Sequence, residues 1–143
     1  MKTNHIYLDD VRTPSPNPST HEVPEWTVVR SYDEFINKIN EVGLENIELI
    51  SLDHDLDQTA MDEWYNNVVN NYTIDYNNIK EKTGFDCAKW LVEEWKKGKP
   101  VVTVVTHSAN AIGSANIMGY INNFLHLNRL PQNCVRTQFE FKT

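Results

Sequence analysis

Ile50-Ser51-Leu52-Asp53-His54-Asp55 is an apolar run that ends in two acids and an imidazole. The same grammar recurs in Ile6-Tyr7-Leu8-Asp9-Asp10 and in Val104-Val105-Thr106-His107-Ser108. As neighbouring parallel strands, the three would bring their carboxy ends to one crevice, where open α/β sheets place their ligands. Aspartates and histidines gathered there must hold a cation, share protons or repel one another.

Working outward, residues 5–9 read as a first strand buried on both faces. A loop to about Pro24 follows, in which Pro14, Pro16 and Pro18 exclude helix and central strand. Trp26 to Arg30 is a second strand. Ser31 and Glu34 fit a capping box, opening a helix that buries Phe35, Ile36, Ile39 and Val42 and stops at Gly43. The third strand runs from Ile47 to Asp53. Residues 56–82, polar and Asn-rich around Trp64, Tyr65, Tyr72 and Tyr76, read as an insertion that is partly helical over 60–70 and covers the crevice.

Thr83 caps the next predicted helix, with Cys87, Ala88, Leu91, Val92 and Trp95 on one face. A β-branched fourth strand spans Val101 to Thr106. A helix from Ala111 to Leu127 follows, with Ala115, Met118, Ile121 and Leu125 inward, and Val135 to Phe141 is a final edge strand. Alternating strands and helices predict a single α/β domain over 1–143, with a mostly parallel sheet and helices on both faces. A proline-rich loop replaces its first helix, and a closing helix is absent.

The totals narrow the function. At 143 residues the chain suits one core. A formal net charge of −7 argues against broad binding to a nucleic-acid backbone, but not against a small phosphorylated ligand. No apolar stretch reaches membrane-spanning length and no signal-peptide core opens the chain, so a cytoplasmic protein is expected. Cys87 and Cys134 lack zinc-like spacing and read as buried, reduced thiols.

Each chemical segment has a plain structural reading beside the functional one. Asp9 and Asp10 can be an acidic turn, with Arg12 exposed behind it, or carboxylates aimed into a cleft. Asp53 and Asp55 can end a strand as turn caps, yet their hard oxygens suit Mg²⁺, Mn²⁺ or Ca²⁺. His54 can add a nitrogen ligand or exchange protons near neutral pH. In Thr106 to Asn116, Ser108 or Asn110 can cap the following helix, whose free N–H groups form an anion site. Gly113 permits close approach there, and His107 stands where an acid or base would face a bound phosphate. Thr83-Gly84-Phe85-Asp86 opens a second helix start that can also donate to an anion. Trp64, Tyr65 and Tyr72 either stack on a base or pack the insertion.

Four ordered segments, Leu8-Asp9-Asp10-Val11-Arg12-Thr13-Pro14, Ser51 to Leu56, Thr83 to Asp86 and His107 to Asn116, resemble the cyclic-phosphate processing receiver domains over nearly the whole chain. The resemblance implies a receiver-like, flavodoxin-like fold of five strands without the first and last receiver helices. It implies a divalent metal, Mg²⁺ or Mn²⁺, at Asp9, Asp10 and Asp53, to which the residues' own chemistry adds Asp55 as a metal candidate. His107, His54 and Asp53 become the catalytic candidates. Arg12, Ser108, Asn110, Gly113, Asn116 and Gly84 become the substrate-binding ones. Lys142 falls near where receivers keep a phosphate-contacting lysine.

The expectation is a metal-dependent phosphoesterase acting on a cyclic or terminal phosphate of a nucleotide or RNA end, with His107, helped by His54, protonating the leaving oxygen. One alternative is a non-catalytic receiver-like module that binds a nucleotide or a protein partner. Another is a phosphotransferase using Asp53 as covalent nucleophile, since Asp53-His54-Asp55 also fits the Asp-x-Asp pattern of haloacid-dehalogenase-type phosphatases. The sequence leaves the oligomeric state open.

Overall fold

A computed structural model describes residues 4–14 and 25–136. Five strands, β1 (Asn4–Leu8), β2 (Thr27–Val29), β3 (Ile47–Leu52), β4 (Thr103–Thr106) and β5 (Val135–Arg136), form one sheet in the order β2-β1-β3-β4-β5. Every pairing is parallel. This is the flavodoxin-like order, whose switch point lies between β1 and β3.

Three long helices connect the strands: α1 (Tyr32–Val42) from β2 to β3, α4 (Gly84–Lys96) from β3 to β4, and α5 (Ala111–Leu127) from β4 to β5. All three crossovers step the same way across the sheet, and parallel crossovers are right-handed, so all three helices fall on one face. They share a core with Ile6, Leu8, Ile50, Leu52 and Val104 on that face. The expected second helical layer is therefore missing among the described residues. Only the β1-to-β2 step runs the other way, and residues 11–14 and 25–26 of that connection contain no helix. Residues 15–24, and the expected strand and Lys142 beyond residue 136, lie outside the described residues.

Local signals explain the helix boundaries, with two corrections. The Ser31 side chain caps α1 by accepting from the Glu34 N–H, but Glu34 Oε1 accepts from the Arg30 N–H and not from that of Ser31, so the box is half made. A complete box stands at α4, between Thr83 and Asp86. In α5 the inward face is Gly113, Ser114, Ile117, Ile121 and Leu125, while Ala115 is exposed and Met118 only half-buried. Close packing at Gly113 sets that phase, which the apolar residues alone do not reveal.

Both cysteines are buried free thiols. Among the described residues no helix is long and apolar enough to cross a membrane.

The insertion contains short helices α2 (Gln58–Glu63) and α3 (Val69–Asn71), joined by a π-helical turn over Trp64–Val68. A single-turn 3₁₀ segment follows at Tyr76–Asn78. Buried Glu63 ties this region together, accepting from Asn67 Nδ2, Asn78 Nδ2 and the Asp75 N–H at 2.8 Å each.

Candidate functional site

The backbone ladder continues one residue past each central strand. The N–H of Asp9 donates to Val29 O (3.1 Å), that of Asp53 to Leu8 O (3.0 Å) and that of His107 to Leu52 O (3.0 Å). Asp9, Asp53 and His107 are thereby fixed at the sheet's carboxy edge, and all three are buried. One ligand atom from each lies within 4.8 Å of the others.

A cavity of about 190 Å³ opens at this edge, with Asp9, Asp10, Asp53 and Asp55 among its lining residues. Arg12, Ser108 and Asn110 complete its polar wall. Its apolar side is made by Val11 and by Met61 and Trp64 of the insertion. The insertion therefore does border the crevice, whereas Tyr65 and Tyr72 are largely exposed.

Asp9 is surrounded by donors. Its Oδ1 accepts from the N–H groups of Val11 (3.0 Å) and Arg12 (2.8 Å), and its Oδ2 from Arg12 Nε (2.9 Å) and His107 Nε2 (3.1 Å). Burial opposes its charge, but these bonds and the guanidinium outweigh burial and hold the carboxyl well below the usual carboxylate range. Arg30 Nη1 fastens the loop by donating to Asp9 O (3.1 Å) and Arg12 O (2.7 Å).

Asp53 stands in the opposite condition. Its Oδ1 accepts from the His54 N–H (2.8 Å), and Arg12 Nη2 is 3.7 Å away. Burial, then the charge of Asp9, push its carboxyl up to about 8, against the pull of Arg12 and a hydrogen bond from Ser108. Asp10, half-buried, is raised for the same two leading reasons, burial and Asp9.

The two histidines are not where the expected mechanism needs them. His107 is fully buried and does not line the cavity. Its ring stacks on Tyr7 (centroids 4.1 Å apart, planes at 8°), its Nε2 holds Asp9, and its Nδ1 lies 2.6 Å from Ser51 Oγ. Its polar contact toward the site is with Asp9.

His54 is likewise fully buried and absent from the cavity wall. Its Nδ1 lies 2.6 Å from Asp55 Oδ1 and its Nε2 lies 2.9 Å from the Tyr76 hydroxyl. Its task is to orient Asp55, together with Asn110 Nδ2, which donates to the same oxygen at 3.2 Å.

The substrate-binding candidates divide similarly. Arg12, Ser108 and Asn110 face the cavity, whereas Gly84, Gly113 and Asn116 do not line it. Gly84 and Gly113 are packing requirements: a Cβ on Gly84 would sit on the Asp53 carbonyl oxygen, and one on Gly113 would enter the His54 ring. Asn116 donates to the Tyr76 hydroxyl (3.1 Å). Asn110 caps α5, accepting from the Gly113 N–H at 2.8 Å.

Sequence reasoning missed Ser51, Arg30 and the role of Tyr76. Ser51 had a signal, since a polar residue inside a buried strand needs a partner. Arg30 ends the strand beside β1, so its proximity to Asp9 follows from the strand order. For Tyr76, inside an irregular insertion, no pattern pointed to His54.

Carboxylates crowded enough to retain a proton also fit a hard divalent cation. Asp53 and Asp10 carry that signature, and their oxygens are the right chemistry for Mg²⁺ or Mn²⁺.

A parallel sheet of this order, with an acidic cavity at its β1/β3 switch point, defines a receiver-like α/β domain. The family model of the cyclic-phosphate processing receiver domain matches residues 4–123. The chain belongs to that family. No curated protein and no solved structure matches it.

Proposed function

We propose that the protein is a metal-dependent phosphoesterase acting on a cyclic or terminal phosphate of a nucleotide or RNA end. The carrying observation is the cavity at the switch point, which Asp10, Asp53 and Asp55 line together with Arg12, Ser108 and Asn110, a donor set suited to a phosphoryl group. Membership of a cyclic-phosphate processing family supports the same substrate class.

A divalent cation held by the carboxylates, Mg²⁺ or Mn²⁺, would supply charge neutralisation and an activated water. Arg12 binds phosphoryl oxygens through its planar fork, and Ser108 and Asn110 orient them from the start of α5. Asp55, held by His54 and Asn110, is aimed at the same space. His107 is a positioning residue, because its ring contacts Asp9 and not the cavity.

The test is hydrolysis of 2′,3′- and 3′,5′-cyclic nucleotides with Mg²⁺ or Mn²⁺. Asp53→Asn is expected to lose about 100-fold or more of kcat, the scale on which a positioned acid or base contributes. His107→Ala is expected to lose less. No turnover on a broad phosphoester panel, with Mn²⁺ demonstrably bound, would exclude catalysis.

A second reading, a non-catalytic module that binds a nucleotide or a protein partner, is favoured by one observation: both histidines are buried and engaged at both ring nitrogens. It predicts thermal stabilisation by a cyclic nucleotide without product.

A further inference from the structure

Asp9 is the acidic residue most deeply set in the cavity wall, with no exposed surface, and four N–H donors already share its two oxygens. The donors are not equivalent. The two on Oδ1 are backbone groups in a loop that Arg30 fastens by two hydrogen bonds, so they stay. On Oδ2 one donor is His107, buried and stacked on Tyr7. The other is Arg12 Nε, on a side chain that is 28% exposed and lines the cavity. Of the four donors Arg12 Nε is the one carried by a partly exposed side chain, whose Nη2 also donates to the His107 carbonyl oxygen at 3.4 Å.

Its guanidinium also lies 3.7 Å from Asp53 Oδ1, so it holds the position between the two carboxylates where a bridging cation would bring its charge. We propose that Arg12 is the resident cation of this site and that a divalent ion gains Asp9 only by displacing it. A guanidinium and a divalent ion on one carboxylate oxygen repel, and Oδ2 has no further lone pair for both. Once displaced from Asp9, the guanidinium remains on the cavity wall, where a phosphoryl group would meet it. Metal entry and anion binding are thus coupled through one side chain. This rests on the reading that a divalent cation enters the cavity, and it is independent of whether any ester is cleaved.

The experiment follows the Arg12 Nε–H resonance by ¹⁵N-edited NMR of the wild-type protein during a Mg²⁺ titration. The expected result is a signal that shifts and exchanges faster with water in step with ion binding, as its bond to Asp9 breaks. A signal unmoved at saturation would overturn the proposal. In parallel, Mn²⁺ affinity is measured by electron paramagnetic resonance for wild type, Arg12→Ala and Arg12→Lys. Removing a positive charge this close is expected to tighten Mn²⁺ by about tenfold or more in Arg12→Ala. Arg12→Lys, which keeps the charge but loses the fork, falls between. Unchanged or weaker binding in Arg12→Ala, or no binding of either ion to any variant, also overturns it. Arg12→Lys and the wild-type spectrum decide the matter if Arg12→Ala does not fold. Failure of hydrolysis with these results intact would refute the phosphoesterase reading alone.

Discussion

The ends of β1 and β3 deliver Asp9 and Asp53 to one cavity from adjacent strands, both buried and both anchored by an N–H bond to the neighbouring strand. After Asp9 the chain turns back, so the N–H groups of Val11 and Arg12 and the Arg12 side chain converge on its carboxylate. After Asp53 the chain leaves for the insertion, sending back one backbone donor from His54 and another carboxylate in Asp55. Burial penalises both charges, and what differs is the number of donors the following loop returns. One aspartate is held by its own loop's donors, and the other carries its burial with fewer of them.

The harshest way to break this contrast is Asp9→Ala. Removing one partner of a buried ion pair leaves Arg12 and His107 uncompensated, and a loss of about 3–5 kcal/mol is expected in urea unfolding. A loss below about 1 kcal/mol would mean that the donors around Asp9 do not stabilise the fold. On the β3 side, Gly84→Ala drives a methyl group onto the Asp53 carbonyl. Overpacking against backbone is expected to lower stability by roughly 1–3 kcal/mol or more by the same measurement, with Gly119→Ala as a control at an open glycine of α5.

The smallest effect is the most diagnostic, because the two carboxyls respond to pH in opposite senses. Asp53 titrates near 3.8 when unfolded and about 8 when folded, so the folded state holds the extra proton between those values. Its contribution to stability is full below about pH 4 and is lost as pH rises through 8. Asp9, lowered on folding, contributes above its unfolded value and loses that contribution as pH falls. Asp53→Asn should therefore flatten the decline from pH 5 to 8 and raise stability at pH 8 by about 1 kcal/mol or more, read as thermal melts across pH. An unchanged slope would place the titration elsewhere.

How much of this was legible depended on whether a residue's surroundings follow from strand geometry. The apolar runs, the Gly43 stop and the Thr83 cap led to the strands and helices, and the strand-end rule placed Asp9, Asp53, Asp55, Arg12, Ser108 and Asn110 on the cavity. The placement of His54 was not legible because, past a strand end, the alternation of faces gives way to the local turn, and here the turn aims the ring into α5. Gly84 and Gly113 read as ligand contacts because close approach to a phosphate and close approach to a neighbouring chain demand the same residue. The single-sided helical layer was missed because periodicity reports burial and not direction. It follows from the strand order, which no local pattern contains.

The ladder bonds that run one residue beyond each central strand carry a mechanical consequence. The floor of the cavity is a continuation of the sheet, cross-braced by the His107 ring between Ser51 of β3 and Asp9 beyond β1. A floor so braced has the stiffness of the sheet itself and cannot adapt its spacing to what arrives. The walls are built differently: Met61 and Trp64 come from the insertion, outside the ladder, whereas the Arg12 side chain is tied back to it through Asp9 Oδ2 and the His107 carbonyl oxygen. The spacing of the carboxylates at the cavity floor is thus set by the sheet and not by the loops above it.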